Sequence, residues 1–168
     1  AWEVLRPSRI VWASSEFAVL WGDDAGRTVL TRLDEWGGKV DWDRPVNVYF
    51  GDDIGIGVRD LNWTGSMLGY FWAVPWPDRA LYFKAMLPDG TSVSDWLFIA
   101  FMEENFGVQS AWSAVDYGVL ISMGTPVVTW FSTMLEDGSS ISDPIHFDLG
   151  EALAFPICMG APGAGFVA

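Results

Sequence analysis

The sequence predicts a mainly antiparallel all-β protein, a β-sandwich or partly closed barrel built from duplicated meander units, with at most one or two short helices. Three observations lead there. The stretch Met86-Leu87-Pro88-Asp89-Gly90-Thr91-Ser92-Val93-Ser94-Asp95 returns as Met134-Leu135-Glu136-Asp137-Gly138-Ser139-Ser140-Ile141-Ser142-Asp143, with seven positions identical and Thr/Ser and Val/Ile conservative. Self-similarity at such a period marks a repeated supersecondary unit. Short apolar runs rich in β-branched and aromatic residues recur along the chain, and Gly, Asp and Pro clusters separate them, as strands and turns require. Segments with helical periodicity are scarce.

From the N-terminal side, Ile10-Val11-Trp12 and Phe17-Ala18-Val19-Leu20-Trp21 flank Ser14-Ser15-Glu16 and read as strands. After the Gly22–Gly26 turn comes Thr28-Val29-Leu30-Thr31, a β-branched strand candidate. Further turns fall at Trp36-Gly37-Gly38-Lys39 and Arg44-Pro45, before the alternating strand Val46-Asn47-Val48-Tyr49-Phe50. An apolar strand ending in an aromatic precedes Gly-Asp-Asp twice, at Trp21 and Phe50, a short echo with a high chance rate. Ile54 to Val58, with Gly55 and Gly57 interleaved, suits a bulged strand. Met67 to Val74 is an apolar strand broken by Pro75-Trp76-Pro77, and Ala80 to Leu87 resumes as a strand. It closes on Leu87-Pro88-Asp89-Gly90, where Pro at the second position and Gly at the fourth fit a type I turn with a glycine bulge.

Trp96 to Asn105 is ambiguous. Ser92 with Asp95 resembles a helix cap, but Trp96 to Met102 is apolar on every face. Its repeat partner Pro144 to Leu149 alternates as a strand, so strand is preferred. Gln109 to Val115 is the other helix candidate. The copies span 69–103 and 118–151 of a single domain, 1–168. Beyond Glu151 the segment 152–168 carries no charged side chain. It reads as a last strand with a loose end, or as an arm that docks on a neighbouring subunit.

Composition limits the function. At 168 residues the chain can bury a core, and 51% hydrophobic against 18% charged residues excludes general disorder. With 9 basic and 22 acidic residues the formal charge is −13, which leaves no cationic patch for nucleic acid or anionic membrane. No apolar run is long enough to span a bilayer. Cys158 is the sole cysteine, so neither an intrachain disulfide nor a cysteine zinc site is possible. The opening Ala-Trp-Glu-Val-Leu-Arg lacks the charged and apolar regions of a secretory leader, and cytosolic synthesis is expected.

Catalytic patterns are missing. His146, the only histidine, falls opposite Phe98 in the repeat and reads as a half-buried strand residue. Ser-His-Asp, nucleophile-elbow and phosphate-loop patterns are absent. Carboxylates pair at Asp23-Asp24, Asp34-Glu35, Asp41/Asp43, Asp52-Asp53 and Glu103-Glu104. Solvated turns explain these better than a calcium loop or a hydrolase pair. Asn62-Trp63-Thr64 fits a glycosylation sequon by chance. Neither metal nor cofactor is expected, and no enzymatic activity.

The 11 Trp and 11 Phe exceed what a chain of this size needs for a core, so some should lie at a surface. Trp72, Trp76, Phe155 and Phe166 are the candidate interface residues. Trp76, between two prolines, either stacks on a partner or sugar or folds back over the sheet edge.

The hairpin from Leu81-Tyr82-Phe83 through Leu87-Pro88-Asp89-Gly90-Thr91-Ser92-Val93-Ser94, with its Gly/Asp turns and no disulfide, resembles small β-rich virion proteins of tailed phages, of the capsid-decoration or tail-tip type. The resemblance covers about residues 67–150 and transfers no functional residue. It implies a non-enzymatic capsid decoration (cement) subunit, assembled in the host cytoplasm into the virion. Its partners would be the major capsid or a tail protein and copies of itself, possibly as a trimer, without nucleic acid or membrane. The alternative is a carbohydrate- or receptor-binding module of a tail tip or fibre.

Overall fold

Short apolar runs separated by turns fold the described residues largely into sheets. The computed structural model describes residues 9–23, 27–48, 57–74, 79–102, 106–124, 127–147, 159–161 and 165–167. Regular structure among them is entirely β-strand. The first sheet is the meander β1 (Arg9–Ala13), β2 (Glu16–Gly22), β3 (Arg27–Leu33) and β4 (Arg44–Val48). The second is β5 (Gly57–Trp63), β6 (Leu68–Val74), β7 (Ala80–Met86) and β8 (Leu97–Phe101). The third is β9 (Phe106–Trp112), β10 (Tyr117–Met123), β11 (Val128–Met134) and β12 (Ile145–Phe147). A hairpin of β13 (Met159–Ala161) and β14 (Gly165–Val167) follows. Every pairing is antiparallel, and none of the three sheets closes into a barrel, so sheets packed face to face are the realised alternative.

Trp96 to Met102 contains β8, so the strand reading stands. The helix expected at Gln109 to Val115 is not formed. Residues 106–112 pair with β10 over their whole length, and Ala114, at φ +81°, turns the chain directly after Ser113. Ser113 closes that turn: its N–H donates to Asp116 O at 3.0 Å, and its Oγ accepts from Asp116 N–H at 3.2 Å.

The repeat has three copies rather than two. Opposite Phe17 stands Leu33, opposite Leu68 stands Met86, and opposite Tyr117 stands Met134. One strand earlier the same rows carry Trp12, Trp63 and Trp112. Each third strand ends in a bridge to the residue six or seven further on: Leu33 to Lys39, Met86 to Ser92, Met134 to Ile141. Tyr82 facing Phe98 and Trp130 facing His146 show that the sequence correspondence of Phe98 with His146 is one of position in the sheet.

Two cores lie between the sheets. One joins Ala18, Leu20 and Leu30 of the first sheet to Leu68, Tyr70 and Trp72 of the second. The other joins Phe71, Leu81 and Phe83 of the second sheet to Tyr117, Val119 and Ile121 of the third. Because side chains alternate across a strand, β6 sends Tyr70 and Trp72 back to the first sheet and Phe71 forward to the third. All seven residues of β6 and of β10 are buried, which accounts for the apolar sequence of β6 and for that of β10 but for Ser122, whose hydroxyl pairs with that of Thr129 at 2.9 Å. Each of these two sheets therefore has a leading face, which packs on the preceding sheet, and the second has a trailing face that receives the next. First strands neighbour first strands: β1 lies beside β5, β5 beside β9, and β9 beside β13.

Candidate functional site

Three features could carry function: the seams between sheets, the repeated turn, and the face that no sheet covers. In the seams, Arg9 Nε donates to the Arg59 carbonyl at 2.9 Å, tying β1 to β5. Between β5 and β9, Ser110 donates to the Asp60 carboxylate through its backbone N–H and through Oγ, the latter at 2.8 Å. Asn62 Nδ2 donates to Ser110 Oγ at 2.5 Å, so the sequon asparagine is used internally. Burial pushes the Asp60 carboxyl up, against hydrogen bonds from Ser110 and Leu61 that hold it down. Burial likewise lowers Arg59, with Arg9 nearby adding to it, and the guanidinium lies 4.6 Å from the Phe106 ring centroid.

This seam joins the Ser110 hydroxyl to the Asp60 carboxylate, and the histidine is not part of it. His146 sits on exposed β12, three strands from the Ser110 strand, or roughly 14 Å at the usual strand spacing. Its ring packs edgewise on Trp130 at 5.6 Å. The histidine is exposed rather than half-buried, because an outermost strand has no neighbour to cover it. Other carboxylates hold turns and ion pairs. Asp23 pairs with Arg27 at 2.6 Å and Asp43 with Lys39 at 2.7 Å. Glu16 takes Arg32 in a fork at 2.6 and 2.8 Å, which raises the guanidinium pKa. Among the described residues no group of three or more His, Cys, Asp or Glu is placed to hold a metal ion.

The repeated Met-Leu-x-Asp-Gly segment is a turn with a second task. Gly90 N–H donates to Leu87 O at 2.9 Å and Gly138 N–H to Leu135 O at 2.9 Å, with φ of +84° and +76°. Asp89 and Asp137 accept from the backbone of Thr91 and Ser139, each at 2.8 Å, which holds both carboxyls below the usual range. Both glycines also press on the preceding sheet. A Cβ on Gly90 would lie 2.9 Å from Arg44 Cδ and 3.2 Å from Leu30 Cδ2; one on Gly138 would lie 2.8 Å from Phe83 Cδ1. Leu30 and Phe83 hold the same place in the repeat, three residues before Leu33 and Met86. Glu136 accepts hydrogen bonds from the Thr64 and Ser66 hydroxyls in the turn between β5 and β6.

The first sheet's copy of this turn touches nothing. Gly37 has φ +83° and donates to Asp34 O at 3.0 Å, yet a Cβ there would meet no atom within 4 Å. Beside it Trp36 is 87% exposed, and Trp42 is 90% exposed. On the leading face of the same sheet, Ile10 and Trp12 are exposed and Phe17, Val19 and Trp21 half-buried.

The interface residues named from sequence fare differently. Trp72 is 5% exposed and stacks on Tyr82 at 5.4 Å, so it belongs to the core and is removed as a surface contact. Its place in a strand covered on both faces is the reason. Trp76 and Phe155 lie outside the described residues, and Phe166 lies in β14, paired with Gly160. Sequence reasoning missed Trp36 and Trp42. Their signal was a tryptophan within a Gly-, Asp- and Lys-rich connection, where strand burial is not available. No family model, curated protein or solved structure matches the chain.

Proposed function

We propose that this chain is a non-enzymatic structural protein that acts by binding, and that its setting is the tailed-phage virion, as a capsid decoration subunit made in the host cytoplasm. The observation that supports binding is the uncovered apolar surface of the first sheet, with Trp36 and Trp42 exposed beside it. Exposed aromatic side chains of this size favour contact with a partner over solubility. The partners this reading assigns are the major capsid or a tail protein and copies of the chain itself, with neither nucleic acid nor membrane. Immuno-gold electron microscopy of particles from a lysate expressing the chain tests it. Label distributed over capsids supports decoration, and particles free of label overturn the virion setting.

A second reading, a carbohydrate-binding module of a tail tip, is favoured by the surroundings of Trp42. Trp42 is 90% exposed and directly precedes Asp43, which pairs with Lys39 at 2.7 Å. An exposed ring with polar groups at its rim is what stacking on a sugar requires. Glycan-array binding that disappears in Trp42→Ala favours this module; an array without any signal removes it.

A further inference from the structure

We propose that the leading face of the first sheet is a docking surface for a second copy of this chain, which lays the trailing end of its own sheet series upon it. The inference rests on the binding reading above and names its partner, while standing apart from the virion setting.

The argument is one of equivalence. Phe17, Val19 and Trp21 occupy the registers that hold Leu68, Tyr70 and Trp72 in the second sheet and Tyr117, Val119 and Ile121 in the third. In those two sheets the residues are buried, at 5% exposure or less, because a preceding sheet lies on them. In the first sheet the same positions are half-buried, and their edge neighbours Ile10 and Trp12 are 61% and 43% exposed. The turn gives the same result independently. Gly90 and Gly138 are pressed against the sheet before them, whereas Gly37, in the same conformation, faces open space. A surface built to one pattern three times is thus used twice.

The established contact is a leading face on a trailing face, with first strands adjacent, and the series continues past the third sheet where β13 lies beside β9. Four-stranded antiparallel sheets stacked in this order are how propeller blades are arranged, typically about four to eight around an axis. A second copy stacked head to tail on this face extends the same series of leading face on trailing face. Such a contact is heterologous and closes into a ring when the rotation per sheet allows. Ile10, Trp12, Phe17, Val19 and Trp21 are themselves uncharged, and the charges bordering them, Asp43 bound to Thr31 Oγ1 and Lys39 bridged to Leu33, pair with each other at 2.7 Å, which lets a chain of −13 bring this face against a copy of itself.

Sedimentation equilibrium of the purified chain across micromolar concentrations tests the proposal. The wild type is expected at twice the mass of one chain. Ile10→Asp, at an exposed position of an edge strand, is expected at the mass of one chain with an unchanged circular dichroism spectrum. Ile145→Asp, equally exposed on β12, is expected to leave the dimer intact. If Ile10→Asp does not fold, Trp12→Gln carries the same readout. A wild type that stays monomeric throughout, or an Ile10→Asp or Trp12→Gln protein that dimerises as the wild type does, overturns it. A dimer found on a chain that never labels virions would leave this inference standing and remove the virion setting alone.

Discussion

The Asp60 carboxylate is held in the β5–β9 seam by three hydrogen bonds and is still pushed up in pKa by its burial. A carboxyl raised in the folded state contributes least when it is ionised, so its burden on stability is present at neutral pH and disappears below the unfolded carboxylate range. Asp60→Asn removes the charge but leaves one acceptor oxygen for donors that now use both, Leu61 N–H on Oδ1 and Ser110 on Oδ2. Its thermal midpoint relative to the wild type should therefore be most favourable at pH 7 and should fall toward about pH 3, where the wild-type carboxyl is protonated as well, as measured by thermal denaturation across that range. Asp43, Asp89 and Asp137 act in the opposite direction: their lowered pKa values stabilise the fold at neutral pH and lose that contribution as pH falls. At the exposed indoles the expectation is different. Trp36→Ala and Trp42→Ala should each leave stability within about 0.5 kcal/mol in urea titration, because neither ring is packed. Any loss they cause in partner binding can then be read as loss of contact.

At the scale of the element, the turn and strand chemistry was legible, and the partners of each element were not. Leu87-Pro88-Asp89-Gly90 announced its own geometry, since a glycine at the fourth position supplies the positive φ that other residues avoid. The alternation from Pro144 to Leu149, the repeat partner of Trp96 to Met102, pointed to the strand found at 97–101. The first copy of the repeat escaped notice because Asp34-Glu35-Trp36-Gly37-Gly38 shares only a glycine with Leu87-Pro88-Asp89-Gly90-Thr91. The two turns are alike in backbone while differing in side chains. Trp12, Trp63 and Trp112, at one place in three sheets, were a signal available in the sequence, at spacings of 51 and 49 residues. Gly37 and Gly138 separate the two roles of the turn. Alanine at either must adopt a left-handed conformation, at about 1–2 kcal/mol. At Gly138 it must also enter the Phe83 ring, so Gly138→Ala should cost about 1–3 kcal/mol more than Gly37→Ala in chemical denaturation. Equal costs would mean that the third sheet's turn does not rest on the second.

Across the whole molecule, three equivalent sheets are stacked leading face on trailing face, and this order leaves one leading face uncovered. Composition could indicate surplus aromatics, but which of them sit at the open end depends on the order of the sheets. That is why Trp72 was named as a contact and Trp36 was not. The stacking has a point of closest approach where Gly69 of β6 meets Tyr117 of β10. A Cβ on Gly69 would overlap the Tyr117 hydroxyl and lie 2.6 Å from Cζ, and that hydroxyl is buried without a hydrogen-bond partner. Gly69→Ala is therefore expected to cost about 1–3 kcal/mol from overpacking. Tyr117→Phe is expected to be neutral or mildly stabilising, since it removes a buried polar atom that is unsatisfied. The most direct measurement of face-to-face stacking is the double-mutant cycle on these two residues, read by urea unfolding. Tyr117→Phe should recover at least about 1 kcal/mol of the Gly69→Ala loss, whereas losses that add to within about 0.5 kcal/mol would show that the second and third sheets do not meet there.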